Sequence, residues 1–208
     1  MVDKFCDFIL KKMKEKMPEM KKDQEEIIMY GLQLMLGEIP KLFILFGLAF
    51  LLGVGWYVLF AFIVIAPYRE VSGGFHLHTH LGCIITTNLF YIGNVFISKY
   101  LVLDSLEKYV LIALSFIFGI LMISMYAPAD TENVPIISKS ERKKKKILSY
   151  IFLTVMLIAA LFIQDRILSN ILIIGSIIQT MTITRIAYKL TKNEYGHEMY
   201  EKGKIELN

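Results

Sequence analysis

Residues 69–83 read Arg-Glu-Val-Ser-Gly-Gly-Phe-His-Leu-His-Thr-His-Leu-Gly-Cys, which puts three of the four histidines and one of the two cysteines in one stretch. A thiol placed after an imidazole is either a nucleophile with its base or part of a metal site. As nucleophile and base, Cys83 pairs with His76. In one continuous helix the two would share a face but stand about 10 Å apart along the axis. Helical side chains also lean towards the N-terminus, which turns His76 away from Cys83. The pair therefore needs a break in the chain, and Gly82 is suited to such a turn. Cys83 would then open a new helix, where unpaired amides and the helix dipole favour a thiolate. His76 follows the permissive Gly73-Gly74 and would fold back to take the proton or to pair with the thiolate.

The metal alternative uses His76, His80 and Cys83, which lie on one side of a continuous helix and are all plausible zinc donors. No neighbouring Asp, Glu or second Cys completes an obvious set, and neither His-Glu-x-x-His nor Cys-x-x-Cys occurs in the chain. His78 and His80 read as interfacial histidines that face water or headgroups, outside the chemistry. Cys83 itself reads equally well as a buried small hydrophobe. Arg69 and Glu70 follow Pro67, which is expected to end the preceding helix. They either anchor the membrane edge as a mutual pair, or dock an ionic peptide, or orient His76.

The elements around this stretch are too apolar for a soluble domain. The chain has 208 residues, 55% of them hydrophobic, and a mean hydropathy of +0.54. Residues 42–66 form an uncharged run of 25, enough to cross a hydrocarbon core of about 30 Å. Further apolar runs cover 84–103, 109–125, 147–163 and 167–187. The expected fold class is all-α: a polytopic helical membrane protein with about six spanning or partly spanning helices. Residues 1–26 are charged throughout and lack the apolar core of a cleavable signal peptide. Two cysteines 77 residues apart do not suggest a disulfide framework.

Charge distribution gives the expected topology. Lys and Arg number eight in residues 1–41, six in 139–146 and five from Arg185 onwards, whereas other connections carry at most two. The positive-inside rule puts all three basic segments, and hence both termini, in the cytoplasm. Counting hairpins back from the basic loop puts residues 67–83 in the cytoplasm too, so the chain before Pro67 must cross an even number of times. Either residues 25–38 supply a short amphipathic return leg ending at Pro40, or 42–66 is itself bent at Gly47, Gly53 or Gly55. Surface-lying of 25–38 is the remaining option. The organisation expected is one membrane domain over 1–208. It has a charged N-terminal helix (1–24), three hairpins (25–66, 84–125, 147–187), an interfacial segment (67–83), a loop (126–146) and a tail (188–208).

Two motifs carry a resemblance. Gly73-Gly74-Phe75-His76, with Cys83 seven positions after the histidine, is similar to the accessory gene regulator B family of Gram-positive membrane peptidases. Tyr126-Ala-Pro-Ala-Asp-Thr-Glu-Asn-Val-Pro-Ile136 resembles a second segment of that family. The resemblance implies a cysteine endopeptidase that cuts a short precursor peptide on the cytoplasmic side, with Cys83 as nucleophile and His76 as general base. Cleavage would release an acidic C-terminal tail and leave the signal peptide on Cys83 as a thioester. A Cys or Ser side chain of the peptide would then close a thiolactone or lactone ring, so the site should exclude water.

Within that expectation, Gly73 and Gly74 match the family's glycine pair and Arg69 a basic position. Asp130 and Glu70 are the carboxylates available to orient His76, and Asp130 reads equally as a turn residue. Backbone amides at the start of the Cys83 helix are the natural oxyanion donors, with Asn88 a side-chain alternative. The basic run 142–146 would contact anionic lipid and attract an acidic peptide tail. The resemblance implies no metal or organic cofactor, no nucleic-acid partner and a place in the lipid bilayer, and it is compatible with a homodimer. The other classes compatible with the chain are a non-enzymatic peptide exporter or chaperone, and a metal-binding transporter using His76, His80 and Cys83. Transporters keep polar groups near the midplane, whereas here the polar chemistry gathers at one interface.

Overall fold

A computed structural model describes residues 2–17, 22–77, 79–132 and 135–203. His78, and Asn133 and Val134 of the second motif, lie outside the described residues, as do 18–21 and 204–208 of the terminal segments. The chain is all α-helical, in the order α1 (Val2–Lys16), α2 (Lys22–Leu51), α3 (Gly55–Ser72), α4 (His80–Tyr100), α5 (Ser105–Tyr126), α6 (Lys139–Phe162), α7 (Arg166–Thr182), α8 (Arg185–Leu190) and α9 (Gly196–Glu201). An isolated parallel bridge joins Gly73 and Ala129.

The uncharged run 42–66 is bent, as one of the two expected arrangements required. Helix α2 ends at Leu51, Gly53 takes φ 70°, and α3 starts at Gly55. The amides of Gly53 and Val54 close this tight turn on Phe50 O (3.0 Å) and Ala49 O (2.9 Å). Residues 25–38 are no separate leg: they are the first part of the 30-residue α2. Neither proline ends a helix as expected, since Pro40 lies inside α2 and Pro67 inside α3. Each removes one ladder hydrogen bond, a loss that packed membrane helices absorb through their neighbours.

Start signals are legible at the other helices. Asp104 and Glu107 form a capping box at α5, with Glu107 N to Asp104 Oδ1 at 2.7 Å and Asp104 N to Glu107 Oε2 at 3.0 Å. Ser138 caps α6 and Asp165 caps α7. Helix α7 is the central element, packed against α3, α4, α5 and α6. Its buried residues include Ser169, Asn170, Ser176, Gln179 and Thr180. Asn94 donates to Ile171 O (3.2 Å), and Asn170 donates to Ser98 O (3.1 Å) and Leu101 O (2.9 Å), which ties α4 to α7. Such bonds stabilise helix pairs in lipid by about 0.6–2 kcal/mol each.

Among the described residues, α4, α5 and α6 are each long and apolar enough to cross a membrane, and α7 is a shorter apolar helix. Their outer faces carry exposed Leu89, Ile97, Leu114, Leu121, Val155 and Ile158. That surface suits a hydrocarbon solvent while the polar groups turn inward. The bundle has two ends. At one, Arg166 joins the turns after α4 and α6 by donating to Leu101 O (2.6 Å) and Lys99 O (3.2 Å). At the other lie the 73–79 loop, the 127–138 loop and the segment after α7.

Candidate functional site

The break that separates His76 from Cys83 is built by the glycine pair. Gly73 caps α3 with φ 76° and Gly74 follows with φ 141°. The loop after α5 packs directly on this backbone, with Ala129 N donating to Ser72 O (2.9 Å) and Gly74 N to Ala129 O (2.9 Å). A Cβ on Gly73 would fall on the Ala129 carbonyl, and one on Gly74 would reach 2.5 Å from Thr182 Oγ1. Only glycine meets both the dihedrals and the close approach. Gln179 of α7 completes the clamp by donating to Gly73 O (2.8 Å) and Ser72 Oγ (3.0 Å).

Beyond the clamp residues 74–77 are unwound, and Thr79 caps α4 by accepting from Gly82 N (3.1 Å). The break thus spans 73–79, whereas Gly82 sits inside the first turn of α4. The cap explains the shift: a Cβ at residue 82 would stand 2.8 Å from Thr79 Oγ1, so glycine admits the capping hydroxyl. Cys83 lies in the first turn of α4, as expected, but its amide bonds Thr79 O at 3.0 Å. The amides of Gly82 and Cys83 are therefore both engaged, which removes them as oxyanion donors in this state. Asn88 does not line the cleft, and its amide donates to Ile84 O (2.8 Å) of its own helix.

His76 and Cys83 line one cleft, bounded by α2, α3, α4 and α7. Its walls are apolar at Ile65 and Phe90, hydroxylic at Thr86 and Thr87, and cationic at Arg69 and Lys41. Arg69 donates to Phe75 O (3.0 Å) and Gln179 Oε1 (3.3 Å), which fixes the residue before His76. The thiol donates to Leu77 O at 3.2 Å, on the carbonyl immediately following His76. Protein crowded around the imidazole lowers the pKa of His76 from 6.5 to about 4, with the Arg69 guanidinium the next cause. His76 is nevertheless exposed at the cleft mouth. Lys41 acts in the same sense as Arg69, and Glu38 opposes them. His76 is neutral at physiological pH, so it forms no ion pair with Cys83.

The remaining expected site residues fall outside the cleft. Glu70 is exposed, its carboxylate 3.9 Å from Lys145, and it does not pair with Arg69. Asp130 is buried and its carboxylate points to another cluster. Its Oδ1 is 2.8 Å from His197 Nδ1, and its Oδ2 accepts from Ile136 N (2.8 Å) and His197 N (2.9 Å), with Arg142 at 3.3 Å. It ties Ile136, His197 and Arg142 together and does not orient His76. His80 is the first residue of α4 and is exposed. Among the described residues, no three of His, Cys, Asp and Glu gather into a group that could hold a metal.

Several contributors were not legible in sequence. Glu38 and Lys41, paired at 2.6 Å, bring α2 to the cleft. Gln179 was visible only as a polar residue in an apolar run. Asn193 donates to His76 O at 2.8 Å across 117 residues, with no local signal at all.

These features define an all-helical membrane protein with a thiol and a neutral imidazole in one polar cleft near the end of its bundle. The family model for accessory gene regulator B matches residues 4–183, and the chain belongs to that family. Membership supports a role in quorum-sensing peptide processing. A protein named AgrB-like from Listeria innocua is 29% identical over 190 residues, covering 86% of this chain and 88% of that one. A similarly named protein of Clostridium acetobutylicum is 26% identical, covering 79% and 77%. The accessory gene regulator protein B of Staphylococcus epidermidis is 24% identical, covering 82% and 84%. No solved structure matches the chain.

Proposed function

We propose that this protein is a membrane cysteine endopeptidase that trims a short precursor peptide and prepares it for cyclisation. The observation that carries this reading is the shared cleft of Cys83 and His76, with the imidazole held neutral and open to the cleft mouth. A neutral imidazole is a base with a vacant nitrogen. Rotation about the Cys83 Cα–Cβ bond would take the S–H from Leu77 O towards His76, which accepts the proton as the sulfur attacks the scissile carbonyl. His76 then returns that proton to the departing amine, which releases the C-terminal part of the precursor and leaves a thioester on Cys83. A Cys or Ser side chain of the bound peptide attacks the thioester, gives up its proton through His76, and leaves as a thiolactone or lactone while the Cys83 thiol re-forms.

The apolar walls at Ile65 and Phe90 support water exclusion, without which hydrolysis would consume the thioester. Arg69 and Lys41 add positive potential where the sulfur and the carbonyl oxygen become negative. The chemistry calls for no metal or organic cofactor. We place the cleft and both basic termini on the cytoplasmic face of a Gram-positive cell membrane, with α2, α3 and α7 crossing alongside α4, α5 and α6. The test is co-expression with the precursor peptide and cleavage followed by gel. Wild type should cleave and Cys83→Ala should not, with both present in the membrane at equal amounts. Cleavage that survives Cys83→Ala would remove the thiol from the mechanism, and absence of cleavage by wild type would favour a non-enzymatic exporter.

A further inference from the structure

The segment after α7 lies beyond residue 183, where the family match ends, yet it reaches the His76 loop. Thr184 starts α8 by accepting from Ala187 N at 3.3 Å. Helix α8 closes in a Schellman turn, with Lys192 N on Lys189 O (3.3 Å), Asn193 N on Tyr188 O (2.9 Å) and Lys192 at φ 56°. That turn aims the buried Asn193 back at the bundle. Its amide donates to His76 O at 2.8 Å and is held in place by Thr191 O (3.1 Å) and Thr191 Oγ1 (2.9 Å).

The segment is fastened on both sides of Asn193. Before it, Tyr188 donates to Ala129 O (2.9 Å) and Asp130 O (3.1 Å), and its ring stacks on Tyr195 at 4.2 Å. After it, Tyr195 donates to Ile183 O (2.8 Å), and His197 joins Asp130 through backbone and ring. Gly196 passes so close to the chain that a Cβ would stand 2.9 Å from Pro135.

From this geometry we infer that residues 185–198 are a strap that sets the position of His76, with Asn193 as its positioning residue. The inference rests on the reading of His76 as general base. Upstream of His76 the loop is held at Gly74 and Phe75, and downstream at Leu77 and Thr79. Asn193 is the side chain that grips the peptide of His76 itself. Without it the imidazole is free to drift, and proton transfer needs heavy atoms within about 2.6–3.2 Å. Substrate is bound by the cleft walls, so the loss falls on kcat and leaves KM alone.

The test uses the full-length protein in proteoliposomes with synthetic precursor peptide, comparing wild type, Cys83→Ala, Asn193→Ala and His197→Gln. Asn193→Ala should lose about 10- to 100-fold in kcat with KM within about twofold, as a displacement near 1 Å in an active site commonly gives. Should Asn193→Ala fail to reach the membrane, His197→Gln loosens the strap at its Asp130 anchor, outside the cleft, and should lower kcat alone, by a smaller factor. A wild-type kcat in whichever of these variants is present overturns the strap. An equal rise in KM would also overturn it, since general loosening of the fold would spoil binding too. If Cys83→Ala still cleaves, the peptidase reading has failed. If only Cys83→Ala is dead and the strap variants match wild type, the strap has failed alone.

Discussion

At the scale of single residues, chemistry depends on how the protein treats one imidazole and one thiol. Protein packed about His76 and the charges of Arg69 and Lys41 lower its pKa to about 4, although the residue stays exposed at the cleft mouth. The base form is the one needed, and it is lost only as pH falls through that value. Cleavage rate in proteoliposomes should therefore hold steady from about pH 7 to about pH 5 and decline only near pH 4, whereas an unshifted histidine would titrate near 6.5. A decline centred near 6.5 would contradict the electrostatic account of the cleft. His76→Ala should cost about 10²- to 10⁴-fold in rate, the usual contribution of a general base. Gly73 makes a different demand. Alanine there would need φ 76° and would place its Cβ on the Ala129 carbonyl. Gly73→Ala should cost at least about 1–3 kcal/mol of stability, read as a lowered unfolding midpoint in detergent micelles. An unchanged midpoint would mean that the 127–131 loop yields more easily than its hydrogen bonds suggest.

At the scale of elements, the critical join is between α3 and α4. Thr79→Ala removes the cap that receives Gly82 N, which should cost about 1 kcal/mol and fray the turn carrying Cys83. A maleimide should then react faster with Cys83 in a Cys6→Ser background, and an unchanged rate would show that the first turn is held by packing alone. The need for a break between His76 and Cys83 was legible from helical rise and side-chain direction. Its location was not: Gly82 looks like a turn residue by composition, but the cap on Thr79 claims it for the helix. Pro40 and Pro67 misled in the same manner, since helix-ending strength in water is weaker evidence where neighbouring helices close around the defect. Asp130 was visible as a carboxylate in a motif, but its partner His197 is 67 residues away. Asn193 is still more remote from His76 and carries no pattern, because a contact across the fold leaves no trace in local spacing.

At the scale of the whole molecule, the fold gathers its polar loops at one end of an apolar bundle and puts the tight turns after α2, α4 and α6 at the other. The apolar runs and the uneven charge made the helical membrane class readable. Packing around α7, which decides what meets in the cleft, was not. The two ends should lie on opposite sides of the membrane. Single cysteines at Asp104 and Lys144, both exposed, test this in a background of Cys6→Ser and Cys83→Ser. An impermeant maleimide should label Asp104→Cys in intact cells and Lys144→Cys only after permeabilisation. The reverse pattern would turn the protein over.

The central claim is that the Cys83 sulfur carries the peptide as a thioester, and intact-protein mass measurement tests it directly. Full-length protein in proteoliposomes would be given a precursor whose ring-forming Cys or Ser is replaced by Ala, so that the acyl group cannot leave by cyclisation. The predicted result is a mass gain equal to the N-terminal portion of the precursor, removed by hydroxylamine and absent from Cys83→Ala. Cleavage of that precursor with no adduct on wild type at any time, or an adduct that persists in Cys83→Ala, would contradict the account.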